Sequence, residues 1–141
     1  MCTSASAVRS LKLAAAPLLD PSRGPAQAFG TVEGVSLWDA PIGCVGNDAV
    51  GRPESVARLH LAAAVSELVL TTALPETDFD TAVYLIPAGA ATSATALGCN
   101  DDEKGYSSAL TLSNVPAGDY TVVIESIQRR GGHFGLSVTA R

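Results

Sequence analysis

Aromatic residues, histidine and positive charge are all scarce in this chain. One Trp, one Met, three Phe and three Tyr in 141 residues mean that a core must be built mainly from Leu, Val and Ile. The hydrophobic fraction of 47% is high, but much of it is alanine, which buries little surface. Nine Lys and Arg against 14 Asp and Glu leave a net charge of −5, which argues against a nucleic-acid partner, because phosphates need a basic face. No apolar run approaches the roughly 18 residues of a membrane span. Two His, with no GxSxG and no HExxH, supply no nucleophile motif and no metalloprotease motif. An enzyme would have to assemble its site across the fold, and the chain is read as non-catalytic. There is also no CxxC and no His at zinc-ligand spacing.

What is present is period-two alternation. In "SVARLHLA", Leu59 and Leu61 share a face opposite Arg58 and His60. Leu68 and Leu70 oppose Glu67, Val69 and Thr71, and Leu110 and Leu112 oppose Thr111 and Ser113. Tyr120, Val122 and Ile124 alternate with Thr121, Val123 and Glu125, and Phe134, Leu136 and Val138 with His133, Gly135 and Ser137. "TAVYLIP" is a continuous buried-type run that ends at Pro87. Turn signals separate these runs: "LPETD", "PAGAAT", "DDEKGY", "PAGD" and "RRGG". This spacing predicts an all-β, antiparallel, jelly-roll-like sandwich of about eight strands, with Val83 and Leu85 also facing inward. "ESVARLHLAAAVSELVL" has helix formers too, but the alternation on both sides favours two strands joined by Ala62 to Ser66. "AFGTVEGVSLW" is read as one edge strand, and "IGCVGNDAVGRPE" as a long loop.

Residues 28–141 are therefore read as the sandwich domain, and residues 1–27 as a linker or processed segment. The apolar run from Leu13 to Leu19 is too short for an export signal and holds Pro17. Either a signal has been removed or the chain is a piece of a longer one. Cys2 would be acylated in a mature lipoprotein, although no lipobox precedes it; otherwise it is a stray thiol.

The segments "ARLHL", "LVLTT", "DFDTAVYL", "LGCNDD", "SSALTLSNVPAGDYTVVIES" and "GHFGLSVT" occur in the order found in bacterial pre-peptidase C-terminal domains. The chain resembles that family over about residues 43 to 141, and most resembles the Cys-containing version common in secreted myxobacterial proteins. The resemblance implies a jelly-roll-like sandwich in an exported protein, often appended to a protease or other hydrolase, with no catalytic residues. That version has two further cysteines, near the positions of Ala73 and of Ala90 or Ala91. Their joint absence here leaves Cys44 and Cys99 as an independent pair. In an exported protein these two would be oxidised. Closing a loop of about 55 residues would remove roughly 4 kcal/mol of denatured-state entropy in the chain-entropy model. The other reading is two separate buried thiols.

Asp78, Asp80, Asn100, Asp101 and Asp102 gather hard oxygen ligands on both sides of "TAVYLIP". An antiparallel return would bring them to one end of the sandwich. They would then either share a calcium ion, which takes six to eight oxygens, or cap turns. A glycosidase-type carboxylate pair would lack an aromatic sugar platform. His60 and His133 are read as surface residues, and Arg129 and Arg130 as a polar hairpin tip or an anion site, with Gly131 and Gly132 supplying positive φ. Trp38 is either a packing residue or a sugar-stacking one. The functional reading is an accessory module, secreted or cell-surface and monomeric, that binds a surface or extracellular polymer or aids secretion. The alternative is a C-terminal processing or chaperone domain of a secreted peptidase or other hydrolase zymogen, with that parent as partner.

Overall fold

The computed structural model describes residues 5–38, 44, 51–90, 96–101, 107–127 and 131–141. Its elements are α1 (Ala5–Ala15), β1 (Leu18–Leu19), a 3-10 turn (Pro21–Arg23), β2 (Ala26–Val32), β3 (Glu54–Leu61), β4 (Val65–Thr71), β5 (Thr81–Pro87), β6 (Gly98–Asn100), β7 (Ala109–Val115), β8 (Gly118–Ser126) and β9 (Gly132–Ala140). Two sheets face each other, one in the order β1-β3-β8-β5-β6 and the other in the order β2-β9-β4-β7. The pairs are antiparallel except β1 with β3. The expected sandwich is present, with nine strands among the described residues. The edge strand expected within "AFGTVEGVSLW" is β2, which starts earlier, at Ala26, and ends at Val32.

The alternation sets the core. Leu59, Leu61, Leu68, Leu70, Val83, Leu85, Leu110, Tyr120, Val122, Ile124, Phe134, Leu136 and Val138 are buried together between the sheets, and Leu112 packs against them half-buried. Each strand offers every second side chain to this layer. The two strands of "ESVARLHLAAAVSELVL" belong to opposite sheets, and β4 starts at Val65, so their connection is shorter than Ala62 to Ser66. β6 closes the open side of the sandwich against β7. A Cβ on Gly98 would meet Leu112 Cδ2 at 2.6 Å, so glycine lets β6 approach without displacing that side chain.

Three features differ from the expectation. First, segment 1–27 is folded from residue 5 onward. Lys12 Nζ donates to Glu54 O at 2.6 Å, and Arg58 N–H donates to Pro17 O at 2.8 Å. Leu19 joins the core, and β2 begins at Ala26, before the expected boundary at residue 28. The short Leu/Ala stretch is a covering helix, because Leu13 and Ala16 have an apolar sheet face to bury. Second, Gly131 and Gly132 do not have positive φ. They are small because Val32 and Phe79 approach their Cα atoms closely. Third, the outer face of the β5 sheet, whose buried-type run the sequence shows, is covered by residues the sequence did not place there. Trp38, Ala16, Val56, Ala82, Tyr84, Ile86 and Val123 form a second buried cluster there, joined by Leu13, Leu37, Cys44 and Cys99.

Val122, fully buried in the main core, provides the test of this packing. Val122→Asp would bury an unpaired charge and is expected to cost more than about 4 kcal/mol in a denaturant melt. A variant that keeps the parent midpoint would contradict the assigned core.

Candidate functional site

Asp78, Asp80, Asn100 and Asp101 lie at one end of the sandwich, and the antiparallel return takes place. Asn100 on β6 pairs with Val83 on β5. The Asp78 and Asn100 side chains are directed at backbone and at His133. Asp78 Oδ1 accepts the His133 N–H at 2.8 Å, and Oδ2 lies 3.1 Å from His133 Nδ1. These contacts, the backbone N–H first, hold the Asp78 carboxyl below its ordinary range. Asn100 Oδ1 accepts the Ala109 N–H at 3.2 Å, capping the start of β7. Asp80 O accepts the Ile127 N–H at 3.1 Å.

Asp101 O receives Ser108 Oγ at 2.5 Å, and the same hydroxyl lies 2.6 Å from Thr81 O. Thr72, Thr81 and Ser108 form a buried hydroxyl chain with steps of 2.8 and 3.1 Å. Among the described residues no three His, Cys, Asp or Glu side chains converge as a metal cage. Asp102, Arg129 and Arg130 lie outside the described residues. Asp78 and Asn100 thus cap the starts of β9 and β7.

A second polar group, not foreseen in the sequence, sits under the outer cover. Glu54 is fully buried. Its Oε1 accepts the Leu37 N–H at 2.7 Å and the Trp38 N–H at 3.2 Å, with Lys12 Nζ at 3.5 Å. Burial pushes this carboxyl up, while the two amides and Lys12 oppose the shift. Lys12 Nζ also stands 5.8 Å from the centre of the Trp38 ring. Trp38 is thus a packing residue, not an exposed sugar platform. Cys44 and Cys99 form a disulfide with Cα atoms 5.9 Å apart, and Cys99 is the register partner of Tyr84. The bridge fixes position 44 beside the outer cluster.

The outer cover stops short of the other end of the same sheet. A cleft of about 370 Å³ opens there, lined by Leu13, Leu18, Arg58, His60, Asp119 and Thr121, with Ala88 and Gly89 as the far wall. Its volume lies in the range of small-molecule sites. Arg58 pairs with Thr121 and His60 with Asp119 across β3 and β8, so all four side chains share the outward face. His60 Nδ1 lies 2.7 Å from Asp119 Oδ1. That bond raises the imidazole pKa above its ordinary 6.5. Arg58 is fixed from the other side, with Nε and Nη2 donating to Ala16 O at 3.3 and 3.0 Å. A second cleft of about 220 Å³, lined by Asp20, Ser22, Ala63 and Arg141, shares His60. The sequence placed His60 correctly on the surface, but the cleft depends on α1 and β1, which were read as linker.

Three outcomes follow. Calcium at millimolar concentration is expected to leave the melting temperature unchanged; a rise that Asp80→Asn with Asp101→Asn abolishes would contradict the capping assignment. NMR titration should find His60 above 6.5, falling back in Asp119→Asn. Because the folded value is the raised one, the pair's stabilisation is present below 6.5 and is lost as pH climbs through the folded value. An unchanged His60 titration in the variant would contradict the pairing. Cys99→Ser should destabilise the domain by roughly 4 kcal/mol in denaturant, given the 55-residue separation; an unchanged midpoint would rule out a stabilising bridge.

No family model matches the chain, and no curated protein matches it in sequence. Solved structures do. The pre-peptidase C-terminal domain of a collagenase from Bacillus anthracis superposes with a TM-score of 0.54 at 10% identity, over 89% of this chain and 94% of that one. CorA, a surface-associated copper-binding protein of Methylomicrobium album BG8, gives a TM-score of 0.50 at 10% identity, over 89% of this chain and 98% of that one. A carbohydrate-binding module from Clostridium stercorarium overlaps at a TM-score of 0.42 and 12% identity, over 91% of this chain and 98% of that one, too loosely to bear on function. The two stronger matches agree with the family resemblance carried by the β5, β6, β8 and β9 segments: this chain has the fold of the pre-peptidase C-terminal domain.

Proposed function

We propose that the chain is a non-catalytic accessory module of an exported bacterial protein, and that it holds an extracellular polymer or surface in the cleft beside His60 and Asp119. The observation that carries this reading is the gap in the outer cover. The cover seals the sheet from Glu54 to Ile86, yet leaves a concave, partly apolar patch with three fixed polar side chains beyond it. Disposition of the charges also favours binding over chemistry. Asp119 orients His60, but no serine, threonine or cysteine hydroxyl or thiol is bonded to that imidazole among the described residues. Export is supported by the Cys44–Cys99 bridge, since disulfides persist in oxidising compartments. It is also supported by the fold, which this chain shares with a collagenase domain and a surface-associated protein.

The test is co-sedimentation of protein made in a bacterial periplasm with insoluble cellulose, chitin, peptidoglycan and collagen fibrils. Retention by at least one matrix is expected, with a loss of tenfold or more in Ala88→Trp, which fills the cleft with an indole. Full retention of that variant would contradict the site. Failure on every matrix, together with tight binding to a peptidase domain in trans, would favour the processing or chaperone reading instead.

A further inference from the structure

We infer that the ligand is a neutral oligosaccharide chain, bound along β3 on both sides of His60, with Arg58, His60 and Asp119 gripping the hydroxyls of one sugar and Leu13 and Leu18 packing on its C–H face. This rests on the cleft being the binding site of the preceding reading.

The argument starts from charge. The basic side chains of the two clefts are already engaged. Arg58 donates to Ala16 O, His60 is held by Asp119, and Arg141 Nε lies 3.5 Å from Glu67 Oε1. On the acidic side, Asp20 Oδ1 accepts the Ser22 N–H at 3.0 Å. An anion drawn to Arg58 would meet the Asp119 carboxylate in the same cleft, and a cation drawn to Asp119 would meet Arg58. A hydroxyl-rich ligand meets no such conflict.

The bonds that hold the three side chains use one edge of each. Those contacts use Asp119 Oδ1, His60 Nδ1 and Arg58 Nε and Nη2, so Asp119 Oδ2, His60 Nε2 and Arg58 Nη1 of these cleft-lining side chains take no part in them. Together they offer an acceptor, a ring nitrogen and a donor, each on a planar group fixed in advance. Neighbouring sugar hydroxyls donate and accept at once, which matches that mixed set better than a carboxylate or an ammonium does. Charged planar groups also make the stronger hydrogen bonds.

The apolar side of the ligand has its own surface. Leu18 is 59% exposed, large for a leucine on a folded edge, and Leu13 stands beside it at the cleft wall. They supply an aliphatic platform where the sequence offered no aromatic one. Continuity sets the length. The second cleft begins at His60 and runs past Ser22 and Ala63 to Arg141, so a ligand of several units could lie in both.

The experiment is calorimetric titration of the intact chain with soluble hexasaccharides of glucose, N-acetylglucosamine, xylose and mannose, with hexagalacturonate and an apolar hexapeptide alongside. At least one neutral hexasaccharide should bind, with less than a threefold change between 0.05 and 0.5 M salt, as an uncharged ligand requires. Its trisaccharide should bind at least tenfold more weakly. His60→Ala and Asp119→Ala should each weaken binding about tenfold while the melting temperature shows that both variants fold.

Binding of hexagalacturonate or the peptide alone would overturn the sugar assignment and leave the binding-module reading standing. Neutral binding that ignores both variants would overturn the site. Silence from all six ligands overturns this inference, whereas the module reading then falls only if the insoluble matrices are silent too.

Discussion

β5 carries apolar side chains on both faces and β8 adds Val123 to the outer one, and the rest of the molecule is arranged around that fact. Ala82 to Ile86 are without exposure, as are Val122, Val123 and Ile124. One face of these strands is satisfied by the opposing sheet. The other must be covered or left as a hydrophobic patch facing water. α1, Trp38 and the residues around the disulfide supply that cover. The four-stranded sheet has no such need, because its outer positions are mostly Thr, Ser and Gly, with Phe29 the exposed exception at 56%.

A cover made from loop and helix brings backbone polar groups into an apolar layer, and these need partners. Glu54 answers two of them through the Leu37 and Trp38 amides, and Lys12 offsets part of its buried charge. The same logic operates at the acidic end. Thr72, Thr81, Ser108 and Asn100 satisfy strand termini, and Asp78 ties the start of β9 to the β4–β5 connection. Polar residues at that end act as fasteners between elements. At the opposite end the cover runs out, and Arg58, His60 and Asp119 are left fixed but facing an open cleft.

The sandwich was legible because its signal is local. Alternation at Leu59/Leu61, Leu68/Leu70 and Tyr120/Val122/Ile124 needs only neighbouring residues, and the turn signals bound each run. "TAVYLIP" already suggested burial on both faces, but nothing local says what would cover the second face. The covering residues come from positions 13, 16, 37, 38 and 44, where no period exists to be read. The short Leu/Ala stretch was therefore taken for a linker. The aspartates were ambiguous for the opposite reason, since the same side chains serve calcium and turn capping equally well in sequence. His133 decided the use of Asp78, from 55 residues away. The cleft could not be seen at all before β1 and α1 were placed beside β3.

The central claim is that function sits where the outer cover ends. Amide chemical-shift mapping of the isotope-labelled domain, saturated with whichever polymer fragment it retains, tests this most directly. The account expects the perturbed amides to cluster at Leu13, Leu18, Arg58, His60, Ala88 and Asp119. Perturbation centred instead on Phe29, Thr31 and Thr111, across the bare face of the four-stranded sheet, would contradict it.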